Sequence, residues 1–247
     1  MEFVTVGPRG ARMGYVEFPG PGPARLFLHG LGASAPAYFA PIAADPVLGR
    51  RRAVMLDFLG FGLSDRPHDF GYTLEDHAGT VARAIEALAL GPAEIVAHSM
   101  GGSVALVLAA RRPELVRRLV LAEPNLLPTP RPHLEGHDED SFARSGFADR
   151  LAAAGPDWAA TMRLADPVAL FRSEAALGGG SDPMMRDLLL SLEMPCHLIE
   201  GELSAEVGED PEVAAAGIAV TTLPGAGHCM MLDDPAAFAR ALARFLD

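Results

Sequence analysis

Ala97-His98-Ser99-Met100-Gly101 follows the apolar run Ala93-Glu94-Ile95-Val96 and opens a stretch of small and apolar residues from Gly101 to Ala110. The run before it reads as a strand and the stretch after it as a helix, with a serine at the tip of the turn between them. Such a turn crowds the backbone around the serine, so the residues two before and two after it have to be small. They are Ala97 and Gly101. Alanine stands where glycine is more usual, which loosens the string but keeps its steric logic. A small-x-Ser-x-Gly string arises often by chance; its place between a strand pattern and a helix pattern in mid-chain makes it informative. Ser99 is the candidate nucleophile.

Working outward, strand and helix patterns alternate. Glu2 to Val6 and Met13 to Phe18 flank a Gly-Pro-Arg-Gly turn signal and read as a hairpin. Arg25 to Leu28, Ala53 to Asp57, Leu119 to Ala122, Cys196 to Glu200 and Ile218 to Leu223 are further strand candidates. Thr73 to Leu88 has helical spacing, and a last helix is expected from Pro235 to Leu246. This rhythm predicts an α/β protein with a mostly parallel sheet and helices on both faces. It is interrupted from residue 124 to 192, where prolines 124, 128, 130 and 132 lead into amphipathic segments. These are Ser141 to Ala154, Asp157 to Leu177 and Pro183 to Leu192, with Gly178-Gly179-Gly180 as a joint. The expected organisation is a core of residues 1–123 and 193–247 with an inserted helical cap at 124–192.

Composition bounds the function classes. A chain of 247 residues that is 49% hydrophobic can bury a full core. A net charge of −12, with every basic side chain an arginine, argues against nucleic acid or an anionic membrane as partner. Two cysteines, Cys196 and Cys229, are too few for a disulfide framework. No basic-then-apolar leader pattern opens the chain, and no apolar run approaches the roughly 20 residues that span a bilayer. The expectation is a soluble, cytoplasmic protein; oligomeric state is not legible.

A serine hydroxyl is protonated at neutral pH and needs a base, an acid to orient that base, and donors for the oxyanion. Leu223-Pro224-Gly225-Ala226-Gly227-His228 puts a histidine on a loop of small residues between the last strand and the last helix, and His228 is the candidate base. His29-Gly30-Leu31-Gly32 follows an earlier strand, so the Leu31 N–H can pair with the Met100 N–H as oxyanion donors, worth roughly 3–4 kcal/mol each in the transition state.

His29-Gly30, Asp57-x-x-Gly60-x-Gly62-x-Ser64, Ala97-x-Ser99-x-Gly101-Gly102 and Gly225-x-Gly227-His228 fall in an order and spacing that resembles the α/β-hydrolase superfamily. The resemblance covers nearly the whole chain outside the cap. It implies an eight-stranded sheet with the active site between sheet edge and cap, and a bracing role for Asp57. Many members carry the acid in a Gly-Glu-x-Asp pattern after the next-to-last strand. Here the chain reads Gly201-Glu202-Leu203-Ser204, with serine in the aspartate position. Glu123, at the end of the Leu119–Ala122 strand and 24 residues after Ser99, is the preferred acid; some haloalkane dehalogenases and resorcylic-lactone hydrolases look similar in placing a glutamate there. Glu200, Glu202 and Glu206 stay open, as does a site without an effective acid. Because dehalogenases and epoxide hydrolases need a carboxylate nucleophile, a serine leaves acyl transfer.

The remaining candidates are weaker. His29, Gly30 and His98 flank the nucleophile and the oxyanion loop and are candidates for substrate contact. Trp158 and Met184 in the cap, and Met230 and Met231 after His228, are candidates for an apolar pocket. His133 and His137 among acidic neighbours lack helical register and read as a solvated loop, so no metal is expected. Gly30-Leu31-Gly32-Ala33-Ser34-Ala35 with Asp57 imitates a dinucleotide fingerprint, but Pro36 follows at once and two strands precede it. The expected function is hydrolysis of a small-molecule carboxylic ester or lactone with an apolar portion, through an acyl-enzyme and without a cofactor. Cyclisation, carbon–carbon cleavage, thioester release and an inert binding protein are the alternatives on the same scaffold.

Overall fold

The structure, a computed structural model, describes residues 1–204 and 210–246. Eight strands form one sheet in the order β1-β2-β4-β3-β5-β6-β7-β8. They are β1 (Glu2–Thr5), β2 (Arg12–Phe18), β3 (Arg25–Leu28), β4 (Ala53–Leu56), β5 (Ala93–His98), β6 (Val116–Ala122), β7 (Cys196–Gly201) and β8 (Ala219–Leu223). β2 runs antiparallel to β1 and β4, and from β4 to β8 every pair is parallel.

The strands β3, β4, β5 and β7 are buried on both faces, as a parallel sheet covered by helices requires, while the edge strands β1 and β8 are partly exposed. Side chains alternate between two cores. Leu26 and Leu28 of β3, with Leu119 and Leu121 of β6, join the cluster under α2 (Leu74–Ala87) and α3 (Met100–Arg111). Phe27 and Val120 join the opposite cluster, covered by α1 (Ala35–Ala43) and the last helix (Pro235–Leu246). α2 starts at a capping box, in which the Thr73 hydroxyl accepts the Asp76 N–H and the Asp76 carboxylate accepts the Thr73 N–H.

Between β6 and β7 the chain leaves the sheet and, among the described residues, forms five α-helices: α4 (Glu139–Ser141), α5 (Phe147–Ala153), α6 (Pro156–Met162), α7 (Pro167–Gly179) and α8 (Met185–Leu190). One helix was expected from Asp157 to Leu177, but the structure has two. Pro167 carries no N–H to continue a helix, and the Asp166 carboxylate instead caps the Val168 and Ala169 N–H groups, each at 3.0 Å. The segment sits over loops at the carboxyl edge of the sheet. The Asp166 N–H donates to the Gly60 carbonyl, and Arg66 donates to the Leu164 carbonyl. His77 of α2 meets the Ser173 hydroxyl of α7 at 3.1 Å. No described helix is long and apolar enough to cross a membrane.

Strand order reverses direction between β3 and β5, which opens a crevice at their carboxyl ends, where open α/β sheets bind ligands. Leu28 pairs with Ala97 there, so the loop after β3 and the turn after β5 leave the sheet side by side. They touch: a Cβ on Gly101 would lie 2.5 Å from the His29 carbonyl oxygen and 2.8 Å from that of Leu28. Neither is a side chain that can swing away. Gly101→Ala is therefore expected to destabilise the fold by about 1–3 kcal/mol in urea unfolding; a change under about 0.5 kcal/mol would contradict this packing.

Candidate active site

Strand register sets the site. His98 of β5 pairs with Ala122 of β6, and Ala122 in turn pairs with Ile199 of β7. Ser99 and Glu123 are the next residues on their strands, so they leave the sheet next to one another. The Ser99 N–H donates to the Ala122 carbonyl at 2.9 Å, and the Glu123 N–H to that of Ile199 at 3.1 Å. Both then turn into a left-handed backbone, with φ of 53° at Ser99 and 43° at Glu123. A side chain pays for that conformation in steric strain, and such strain concentrates at functional sites.

His228 reaches this pair from the loop after β8. Its Nδ1–H donates to Glu123 Oε2 at 2.5 Å, and the Ser99 hydroxyl donates to its Nε2 at 3.1 Å. With a carboxylate on Nδ1, the proton sits there and the Nε2 lone pair faces the serine. The three side chains, far apart in sequence, thus form one chain of hydrogen bonds.

The other Glu123 oxygen is occupied too. Oε1 accepts the Ser204 hydroxyl at 2.6 Å and the Gly201 N–H at 2.8 Å. Burial alone would push this carboxyl up, but the bonds from His228, Ser204 and Gly201 outweigh it and hold Glu123 below the usual carboxylate range. The residue in the aspartate position is therefore a neutral donor to an acid on the neighbouring strand. Glu202 turns elsewhere: its Oε2 accepts the Gly225 N–H at 2.8 Å and closes the turn before His228. Glu200 is buried within β7, opposite Thr222, and Glu206 lies outside the described residues.

The Met100 N–H opens α3, where a first-turn N–H has no partner in its own helix. The Leu31 N–H is likewise claimed by no protein acceptor among the described residues. Its peptide is oriented from behind. The buried His29 ring donates from Nδ1 to the Gly30 carbonyl at 2.7 Å, on the same peptide unit, and accepts the Phe58 N–H on Nε2 at 3.0 Å. Both ring nitrogens are taken and burial pushes its pKa down, so His29 is a neutral brace inside the core and not a substrate contact. Asp57 is fully buried on Ser34, the Ala35 N–H and the Leu63 N–H, which leaves no carboxylate for a ribose.

A tight cleft, without room for a water-sized sphere, leads to Ser99 between Gly30, Leu31, Tyr38, His98, Trp158 and His228. The His98 ring packs against that of His228 with centroids 4.7 Å apart and the planes tilted by 48°, and its Nε2–H donates to the His228 carbonyl at 2.8 Å. Burial first, and then the nearby His228, keep it neutral. Met230 and Met231 were expected at the substrate, but they are buried away from it. They open a short helix (Met230–Asp233), whose turn aims both into the core with Phe39 and Phe238. Met184 lines a second crevice with Leu126, Leu177 and Met185. Asn125, missed in the sequence, stands between the two: it lines that crevice and its Oδ1 lies 3.5 Å from Ser99 Oγ. Only its position two residues after Glu123 could have flagged it. Among the described residues no cluster of three or more His, Cys, Asp or Glu side chains could hold a metal ion.

Comparisons with known proteins agree with this architecture. The chain is 39% identical over 97 residues to a 2-hydroxymuconate semialdehyde hydrolase of a Pseudomonas species, a match spanning 39% of this chain and 34% of that protein. It is 26% identical over 216 residues to haloalkane dehalogenase 2 of Mycobacterium tuberculosis, spanning 84% of this chain and 74% of the dehalogenase. The first curated relatives are thus matched over only about a third of their length. Among solved structures, an enol-lactonase from Burkholderia xenovorans superposes with a TM-score of 0.82 at 21% identity, over 99% of both chains. An E-2-(acetamidomethylene)succinate hydrolase superposes with a TM-score of 0.76 at 25% identity, over 100% of this chain and 98% of the other. A family model described as alpha/beta hydrolase fold matches residues 23–185, about two thirds of the chain, and the chain belongs to that family.

Proposed function

We propose that the chain is a serine hydrolase of an uncharged carboxylic ester or lactone with an apolar portion. The observation that carries this reading is the His228 ring bonded on one side to Glu123 and on the other to Ser99, with the Leu31 and Met100 N–H groups left for an oxyanion. Ser99 Oγ attacks the carbonyl carbon while its proton passes to His228 Nε2. The carbonyl π pair moves onto oxygen, which the two N–H groups receive. The intermediate collapses, the bond to the leaving oxygen breaks, and that oxygen takes the proton from His228. Water then attacks the acyl-enzyme with His228 as base, releasing the acid and restoring Ser99. Glu123 stays ionised, fixes the ring and stabilises the imidazolium. This cycle draws on no metal or organic cofactor.

The preference for an uncharged substrate rests on the cleft, which has no arginine among its lining residues in a chain that lacks lysine. A substrate carboxylate would enter without a counter-ion, at a cost in desolvation. The crevice beyond Asn125 has a mostly apolar lining, Leu126, Leu177, Met184 and Met185 among it, that matches the apolar portion; its enclosed space of about 20 Å³ holds little more than a water, so these side chains part to admit it. Residues 124–192 then act as a cap that shields the acyl-enzyme. A second reading, hydrolysis of a small unsaturated keto acid, is favoured by the 39% identity to the semialdehyde hydrolase and opposed by the missing cation.

A panel of p-nitrophenyl esters, lactones and keto acids tests both. Wild type should turn over the esters or lactones, Ser99→Ala should lose about 10⁴-fold or more, and Glu123→Gln roughly 10²–10⁴-fold. A wild-type rate no better than Ser99→Ala would end the hydrolase reading.

Ser204 gives a second prediction. A carboxyl held below its ordinary value of about 4.3 adds stability that is complete above that pH and is lost as pH falls through the lower folded value. Ser204→Ala removes one donor and moves the Glu123 carboxyl back up. Acid loss of activity should then begin at higher pH, with a rate at neutral pH about 3–10-fold lower, as expected for one charge-assisted hydrogen bond. Ser204→Asp sets a second carboxylate beside Glu123, so one of the two holds a proton and the enzyme slows, most at acid pH. A faster Ser204→Asp enzyme would mean that the acid works better from position 204.

A further inference from the structure

Trp158 does more than line the cleft. It lies on α6, where Trp158 and Met162 are four residues apart and share one face. That face meets the loop after β3. The indole N–H donates to the Leu31 carbonyl at 2.7 Å, and a Cβ on Gly32, whose φ is +69°, would come within 2.9 Å of the Met162 methyl. The two carbonyls around the Leu31 N–H are therefore held from opposite sides. His29 holds that of Gly30 from the core, and Trp158 holds that of Leu31 from the helical segment. The indole has its own anchor. The Arg150 guanidinium lies 4.8 Å from the ring centroid and is paired at 3.3 Å with Glu174, both side chains almost fully buried.

Trp158 also lines the cleft at Ser99, which has no room for even a water-sized sphere, against the roughly 300–1,000 Å³ of ordinary ligand pockets. A substrate of several carbons can enter only if α6 yields, and α6 cannot yield without straining the bond to Leu31. We infer that Trp158 is a positioning residue that makes the Leu31 oxyanion donor competent only when the helical segment is seated over the site, so that cap closure and transition-state stabilisation are one event. The inference rests on the proposed roles of Ser99, His228 and Leu31.

The test uses the full chain and two probes: an ethyl p-nitrophenyl alkylphosphonate, an uncharged diester that loses p-nitrophenolate as it traps Ser99 with its phosphoryl oxygen in the oxyanion position, and matched p-nitrophenyl oxo- and thionoesters. Trp158→Phe keeps a ring over Arg150 and deletes only the donor. It should lower kcat and the phosphonylation rate together by about 10–100-fold, as a misplaced catalytic group does, with KM changed less than about threefold. The preference for the oxoester over the weakly hydrogen-bonding thionoester should shrink in parallel. Met162→Ala, which frees the loop at Gly32 and leaves the indole in place, should shift the same readouts in the same direction by about 3–10-fold. Phosphonylation of Trp158→Phe at the wild-type rate, or a lower kcat with the oxo-to-thiono ratio unchanged, would overturn the inference alone. A wild type that the phosphonate does not modify would overturn the hydrolase reading with it.

Discussion

The site depends on the pairing of His98 with Ala122 across two parallel strands. A parallel pair sends both chains out at the same edge, so one register position decides which residues emerge together. Here they are a serine and a glutamate, each twisted to a positive φ by the turn that takes it off the sheet. Slip the register by one residue and Glu123 would face the other side of the sheet. His228 then needs only a short loop to reach between them. The acid can sit on β6 because adjacency of strand ends, not order along the chain, determines which side chains meet.

With that acid in place, serine at position 204 has a physical rationale. An aspartate there would lie within hydrogen-bonding distance of Glu123 and set two negative charges against each other. A hydroxyl at 2.6 Å donates to the carboxylate and helps hold it ionised. Together with the Gly201 N–H it also fills the oxygen that faces away from His228, which leaves Oε2 to the ring. The site is assembled around a different strand end, and the Gly-Glu-x-Ser segment is adapted to support it.

Much of this was legible in the residues. The strand and helix patterns that bracket Ser99, and the small residues before His228, are local signals, and the two side chains do meet. Glu123 was legible as the end of the strand next to the elbow. What escaped depended on distant contacts. Nothing near Ser204 or Asn125 in sequence tells which side chain each will face. Met230 and Met231 sit beside the imidazole in sequence, yet one helical turn aims them into the core. His29 carries a reactive ring in the right loop, but both its nitrogens are occupied by backbone groups. The helix break at Asp166-Pro167 was written in the sequence as a cap followed by a proline; the apolar spacing across it hid the signal.

The central claim is that Glu123 holds the Nδ1 proton of His228. Proton NMR of that hydrogen tests it most directly, since a short bond from imidazole to carboxylate shifts the resonance to low field and shields it from exchange with water. The account predicts a low-field signal in the wild-type protein that disappears in Glu123→Gln and persists in Glu202→Gln. A signal that survives in Glu123→Gln would show that another group holds the ring, and would contradict the account.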